Sequence, residues 1–222
     1  MVFLALGQLL PIAVALALSS VTIMATIAIL LSPNRERAAV PFLLGSVVGL
    51  VLVTGLFVLF ARAIPMPPTR RPQPGLAVAL ILIGIAVIVF AVIRLRRAVK
   101  APTGKTPKWL RTVGSLGALS SFGLALSLNL RPKALLLGTA TGLILRGNGL
   151  PVSGTLIVVA IYVTVSLSTI AVPIIMTLAS PTKMEKRLHS GREWVATHSR
   201  PVTIVIMIVI GVVIIGSGIS RL

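Results

Sequence analysis

Apolar residues gather along the chain in six long runs, at about residues 3–31, 41–61, 76–96, 112–146, 152–179 and 201–220. A stretch of about 20 uncharged residues is long enough to cross the roughly 30 Å hydrocarbon core of a bilayer as a helix. Only helices and closed barrels satisfy every backbone polar group at that depth. The pattern therefore predicts an all-α integral membrane protein with six transmembrane helices. Breakers separate the runs. "SPNRERAAVP" joins the first two, and "RAIPMPPTRRPQPG", with five prolines, forms a stiff extended link to the third. "RLRRAVKAPTGKTPKWLR" is the longest basic stretch, "RGNGLP" signals a tight turn, and "SPTKMEKRLHSGREWVATHSRP" precedes the last run.

The runs divide evenly, three in residues 1–111 and three in 112–222. An odd number of spans per half makes the second half enter from the opposite side. That is the arrangement of inverted-repeat transporters, whose sites form at the repeat interface. The expected architecture is one membrane domain of two inverted three-helix repeats. "LALS" at 16–19 returns at 124–127, a thin echo in a chain so rich in Leu and Ala.

Composition supports this reading. Apolar residues make up 56% of the 222 and charged residues only 11%, against about 25% charged in soluble domains. The charge is lopsided, with 21 Lys and Arg against three Glu and no Asp. The basic residues sit in short gaps between runs, with no basic domain to fold around a duplex. Nucleic acid is therefore not the expected partner; the positive-inside rule and anionic lipid head groups are. The first, third and fifth gaps hold 14 Lys and Arg, and the second, fourth and C-terminal segments hold five. That bias puts the first set in the cytoplasm and both termini outside the inner membrane. With no Cys, thiol and disulfide chemistry is excluded. The first 19 residues hold no Lys or Arg, so the basic region of a signal peptide is missing and a retained first span is expected.

The fourth run is the informative one. Its 35 residues would extend about 52 Å as one helix, more than a bilayer needs. Pro132 removes a backbone donor and crowds the preceding turn, and it pushes Arg131 toward extended geometry. A helix broken near Pro132 is predicted, with two half-helices meeting between Asn129 and Lys133. Broken backbone at membrane depth must be buried in protein or line a wet cavity. Arg131 and Lys133 fall at that break, and a charge at the bilayer centre costs about 2.5–3.5 kcal/mol on insertion scales. Glu36, Glu185 and Glu193 all lie in gaps, so no span offers a carboxylate partner. One reading makes the missing anion a ligand, held also by the N-terminal donors of the half-helix after Pro132. The other has the two side chains snorkelling to an interface or bonding carbonyls freed by the proline.

Absences narrow the chemistry. His189 and His198 lie in the fifth gap, so no span holds the Asp, Glu or His of a proton or metal carrier. Neither a carboxylate pair nor a Ser-His-Asp triad can be assembled, and no nucleotide-binding signature appears. No enzymatic activity, metal or cofactor is expected. In the first run, Pro11 is a candidate kink, and Ser19, Ser20 and Thr22 would face the break near Pro132 in an inverted repeat; ordinary back-bonding within the helix is the alternative. Gly45 with Gly49 and Gly138 with Gly142 are small-xxx-small pairs. They suit packing within one chain more readily than a homodimer seam, while "GVVIIGSG" in the last run could line a partner. Met184, Leu188, Trp194 and Val195 suggest an interfacial helix in the fifth gap, with Trp109 a similar anchor.

The first run leading into "LLSPNRERAAVPFLLGSVVGL" and the fourth with "RPKALLLG" resemble the GAP family of the lysine-exporter superfamily. These are the peptidoglycolipid- and sulfolipid-addressing proteins of actinobacteria. "FLLGSVVGL" at 42–50 is similar to the family's phenylalanine-glycine stretch, and "PK" at 132–133 to its Asn-Pro-Lys signature. Arg131 stands where that pattern has Asn, and Ser20 where it has Pro in the first span. The resemblance implies a transporter of an anionic amphiphile, an envelope glycolipid or peptidoglycolipid, working beside a larger lipid exporter. Arg131 and Lys133 would attract the head group, Asn129 and Pro132 shape the break, and Ser19, Ser20 and Thr22 line the opposing side. A small-solute exporter and a non-transporting accessory subunit are the alternatives.

Overall fold

The computed structural model describes residues 2–63, 74–100, 113 and 116–219. Trp109 and the proline-rich and basic links lie outside the described residues, as do the side chains of His189, Glu193, Trp194, Val195 and His198. Among the described residues the regular structure is all helix: α1 (Val2–Ala17), α2 (Ser20–Leu30), α3 (Arg35–Ala63), α4 (Pro74–Lys100), α5 (Ala118–Asn129), α6 (Pro132–Gly147), α7 (Val152–Ala179) and α8 (Pro181–Ile219). By length and composition α3 and α7 can each cross a membrane, and the bent pair α1–α2 counts as a third if it is one broken span and not a re-entrant loop. Shorter apolar stretches occupy Ala77–Ile93, Ala118–Asn129 and Met207–Ile219.

Local chemistry sets several boundaries. Glu36 sits in the first turn of α3 and Arg62 in its last, each matched to the partial charge at that helix end. Pro132 opens α6 at its first position, where the missing N–H costs no intrahelical bond. Arg131 before it is extended, with φ −72° and ψ 151°, as a residue preceding proline should be. Gly149 takes φ 58° in the turn between α6 and α7, a conformation that glycine enters without a Cβ penalty.

Two boundaries differ from the sequence expectation. The first run is not one helix: Pro11 lies inside α1 without ending it, and the break comes at Leu18 and Ser19, with α1 and α2 at 49°. The fifth gap and last run are not separate either. They form the continuous α8 of 39 residues, about 58 Å long at 1.5 Å per residue. Met184 and Leu188 are buried inside the protein, rather than facing lipid from an interfacial helix. The described part of that stripe, Met184 and Leu188, is covered by the chain's own helices, α2 packing along α8 among them.

The helices pack as α3 along α5 and α6, α1 along α7, and α4 along α8. Glycines permit the close approaches. A Cβ on Gly45 would lie 2.5 Å from the Phe122 carbonyl oxygen of α5, and one on Gly142 would lie 2.6 Å from the Phe57 carbonyl oxygen of α3. In the last run, Gly211 and Gly218 seat against α4, where a Cβ would meet the Gly84 and Ala77 carbonyl oxygens.

Contacts at one end of the bundle fix its topology. Asn148 Nδ2 donates to Gln8 Oε1 at 3.0 Å, and Arg62 Nη2 to Thr155 Oγ1 at 3.5 Å. With Gly218 against Ala77, these gather the start of α1, the end of α3, the α6–α7 turn and the end of α8 at a single end.

Candidate functional site

The two helix breaks face each other. Ser19 precedes α2 with φ −76° and ψ 98°, and Arg131 precedes α6, also in extended geometry; neither residue's own side chain caps the helix it precedes. The first N–H groups of a helix lack intrahelical partners. Those of Ser20, Val21, Thr22, Lys133 and Ala134 therefore belong to two helix starts that open on one cavity, which all five residues line. The positive ends of two helix dipoles thus converge there.

The cavity measures about 140 Å³. At ~30 Å³ per water molecule, that is room for about five waters, or for the charged part of a larger ligand. All seven residues singled out at the two breaks line it: Ser19, Ser20, Thr22, Asn129, Arg131, Pro132 and Lys133. Among the described residues, no carboxylate lines it, and no group of His, Asp or Glu could hold a metal ion. The glycines lie in the helix seams around it, except that Gly49 bears directly on the site. A Cβ there would fall 2.7 Å from Asn129 Nδ2, so Gly49 makes the room in which the asparagine sits. Asn129 Nδ2 donates to the Ala125 carbonyl at 3.0 Å.

Lys133 is 8% exposed, and its Nζ donates to the carbonyl oxygen of Ala15 at 2.7 Å. That carbonyl belongs to the last turn of α1, where Ser19 N turns instead to Leu16 O at 3.1 Å. Thr169 Oγ1 of α7 donates likewise to Ala17 O at 2.7 Å. The carbonyls freed by the first break are therefore capped from the second half of the chain. Of the two readings of Lys133, bonding to a freed carbonyl is present, but the carbonyl is freed by the break at Ser19 and not by Pro132. An ammonium has three donors, so the cavity wall and the carbonyl are compatible duties.

Sequence reasoning missed other lining residues: Ser46 of α3, Ser166 of α7 and Phe90 of α4. A signal for Ser166 and Thr169 was present in the hydroxyl-rich "TVSLST" at 164–169 of an otherwise apolar run. Ser46 bonds back to Phe42 O at 2.8 Å, whereas buried Ser166 Oγ has no hydrogen-bond partner.

An all-helical protein, with helices long and apolar enough to cross a membrane and a cationic cavity between two helix starts, is the class these features define. The chain belongs to the sulfolipid-1-addressing protein (Sap) family, whose model matches residues 9–220. No curated protein and no solved structure matches it.

Proposed function

We propose that the protein moves an anionic amphiphile, an envelope glycolipid or peptidoglycolipid, across or out of the bacterial inner membrane. The observation that carries this reading is the cavity itself. Two helix starts, Arg131 and Lys133 surround it, and no described carboxylate lines it. Such a site favours an anion, and bidentate recognition by Arg131 suits a sulfate, phosphate or carboxylate. The family's name points to a sulfolipid. The cavity is small for a whole glycolipid, so it would take the head-group charge while the tails lie along apolar helix faces.

The proposed scaffold is six spans in two inverted three-helix repeats, α1–α4 and α5–α8. Supporting this, each half consists of a broken helix followed by two long ones. Ser19 and Arg131, the residues before the two restarts, lie about 112 positions apart. Contacts are mirrored, α3 with α5 as α7 with α1, and α2 with α8 as α6 with α4. On this correspondence Ser20 and Pro132 are equivalent first-turn residues, and the two "LALS" stretches are not equivalent. Both termini would face outside, on the bias of basic residues toward the opposite end. The protein would act as a carrier and not as an enzyme.

The test is to purify the wild-type protein and Arg131→Glu from the same membranes and identify bound lipids by mass spectrometry. We expect Arg131→Glu to lower bound anionic glycolipid by about tenfold or more, the effect of about 1.4 kcal/mol, and to lower surface glycolipid in parallel. Unchanged lipid content would refute the anion site. The size of the cavity favours a second reading, a small-solute exporter. Efflux of a labelled amino acid from proteoliposomes, with no co-purified lipid, would establish it instead.

A further inference from the structure

Beyond the cavity, polar side chains continue toward the end of the bundle that holds both termini, in three layers contributed by the same helices. The first layer is the cavity wall, with Ser46 on α3, Lys133 on α6 and Ser166 on α7. In the second, the phenol of Tyr162 on α7 lies beside the hydroxyls of Thr54 on α3 and Thr141 on α6. The third is the Arg62–Thr155 contact between α3 and α7. On α3 the members recur every eight residues, about 12 Å of helix each time, and each step turns the row by about 80° around the helix.

Buried hydroxyls almost always find a hydrogen-bond partner. Here Tyr162, Thr54 and Ser166 are 1%, 0% and 3% exposed; Ser166 Oγ has no partner, and the Tyr162 phenol and Thr54 hydroxyl have only each other and Thr141 within reach, without a well-formed hydrogen bond. Tyr162 heads the fully buried side chains by size, and it stands in the middle layer. A fourth unbonded hydroxyl, Ser121, lies on α5 on the other side of the cavity. An interior built only for packing would fill these positions with Val, Leu or Phe, because an unmet buried polar group costs stability. A row of buried hydroxyls with spare hydrogen-bonding capacity, leading from a cationic cavity, is suited to a polar occupant that comes and goes.

The geometry points to a head-group pathway. The polar, anionic end of the substrate passes between the cavity and the terminus-bearing end along Ser166, Tyr162, Thr54 and Arg62, and Tyr162 closes the path at its middle. This inference rests on reading the cavity as an anion site and adds where the anion goes. The route runs among α3, α6 and α7, while the α4–α8 seam takes no part.

The chain's lack of cysteine permits a test that needs no lipid. Thr54→Cys, Thr141→Cys and Ser166→Cys exchange a hydroxyl or small group for a thiol. Leu80→Cys and Ile214→Cys, at fully buried sites of α4 and α8, serve as references. The membrane-impermeant anionic reagent 2-sulfonatoethyl methanethiosulfonate is added from the side bearing the termini, to full-length protein in proteoliposomes. We expect the three pathway thiols to react at least about tenfold faster than the references, since thiol reactivity follows access to the aqueous reagent. Tyr162→Ala should raise the rate at Ser166→Cys further. Pathway thiols no faster than the references, or reached only from the opposite side, would overturn the pathway. An Arg131→Glu protein that keeps its lipid while the pathway thiols still react fast would refute the anion site alone, whereas lipid loss with slow pathway thiols would refute the pathway alone.

Discussion

Lys133 and Thr169 reach across the bundle to carbonyls of a helix more than a hundred residues earlier in the chain. Removing either donor leaves a buried carbonyl unsatisfied, at a cost of about 1–3 kcal/mol. Lys133→Met keeps the aliphatic stem and should lower the melting temperature in detergent by several degrees, and Thr169→Val should do the same. Wild-type melting of both would show that these bonds contribute nothing to stability. Arg131 is half-buried at the cavity, and its α6-preceding backbone is set by Pro132, not by its own side chain. Arg131→Gln keeps a polar residue before α6 and should lower bound lipid while lowering the melting temperature less than Lys133→Met does, in the same lipid analysis and thermal melts. The residues at the second break could be picked out in the sequence because a proline and two charges are conspicuous in an apolar run. The capping of Ala15 and Ala17 could not, since main-chain carbonyls carry no sequence identity.

At the scale of elements, the break at Pro132 follows from the ring itself, so α5 and α6 could be read from the sequence. The break at Ser19 has no proline or glycine. Ser19 and Thr22 offer local hydroxyl bonding, Thr22 Oγ1 donating to Ser19 Oγ at 3.2 Å, but such bonding also occurs inside straight helices. What holds that break open is the pair of caps from the other half. The opposite error occurred at Pro201, read as a helix start but lying within α8. Helix seams give a clear prediction. Gly45→Ala or Gly142→Ala must move a backbone carbonyl of the neighbouring helix, and each should destabilise by about 1–3 kcal/mol, the usual range for overpacking. Gly55→Ala has nothing within 4 Å and should be neutral or stabilising by up to about 1 kcal/mol through helix propensity. Thermal melts of the three variants in one detergent decide it; equal melting temperatures would mean the seams are not close-packed in the membrane.

Over the whole molecule, the Arg62–Thr155 and Asn148–Gln8 contacts and the Gly218–Ala77 approach bring both termini to one end. Reporters of compartment fused to the N- and C-termini should therefore report the same side, and one inserted after Ser180, in the α7–α8 turn, the other. The basic bias of the gaps predicts that the termini lie outside. Termini on opposite sides would contradict the bundle's topology, whereas both inside would contradict only the orientation.

By itself the sequence determined that the protein is helical and apolar enough for a membrane, where the chain must turn, and where a second-half helix must break. These follow from run length, composition and proline, all properties of contiguous residues. Only the tertiary structure decided that the first run also breaks and that the two breaks share a cavity. It also decided that Lys133 is divided between a ligand-sized space and a carbonyl of α1. Each of these depends on groups brought together from the two halves of the chain. Their geometry is set by how helices pack, which linear order does not encode.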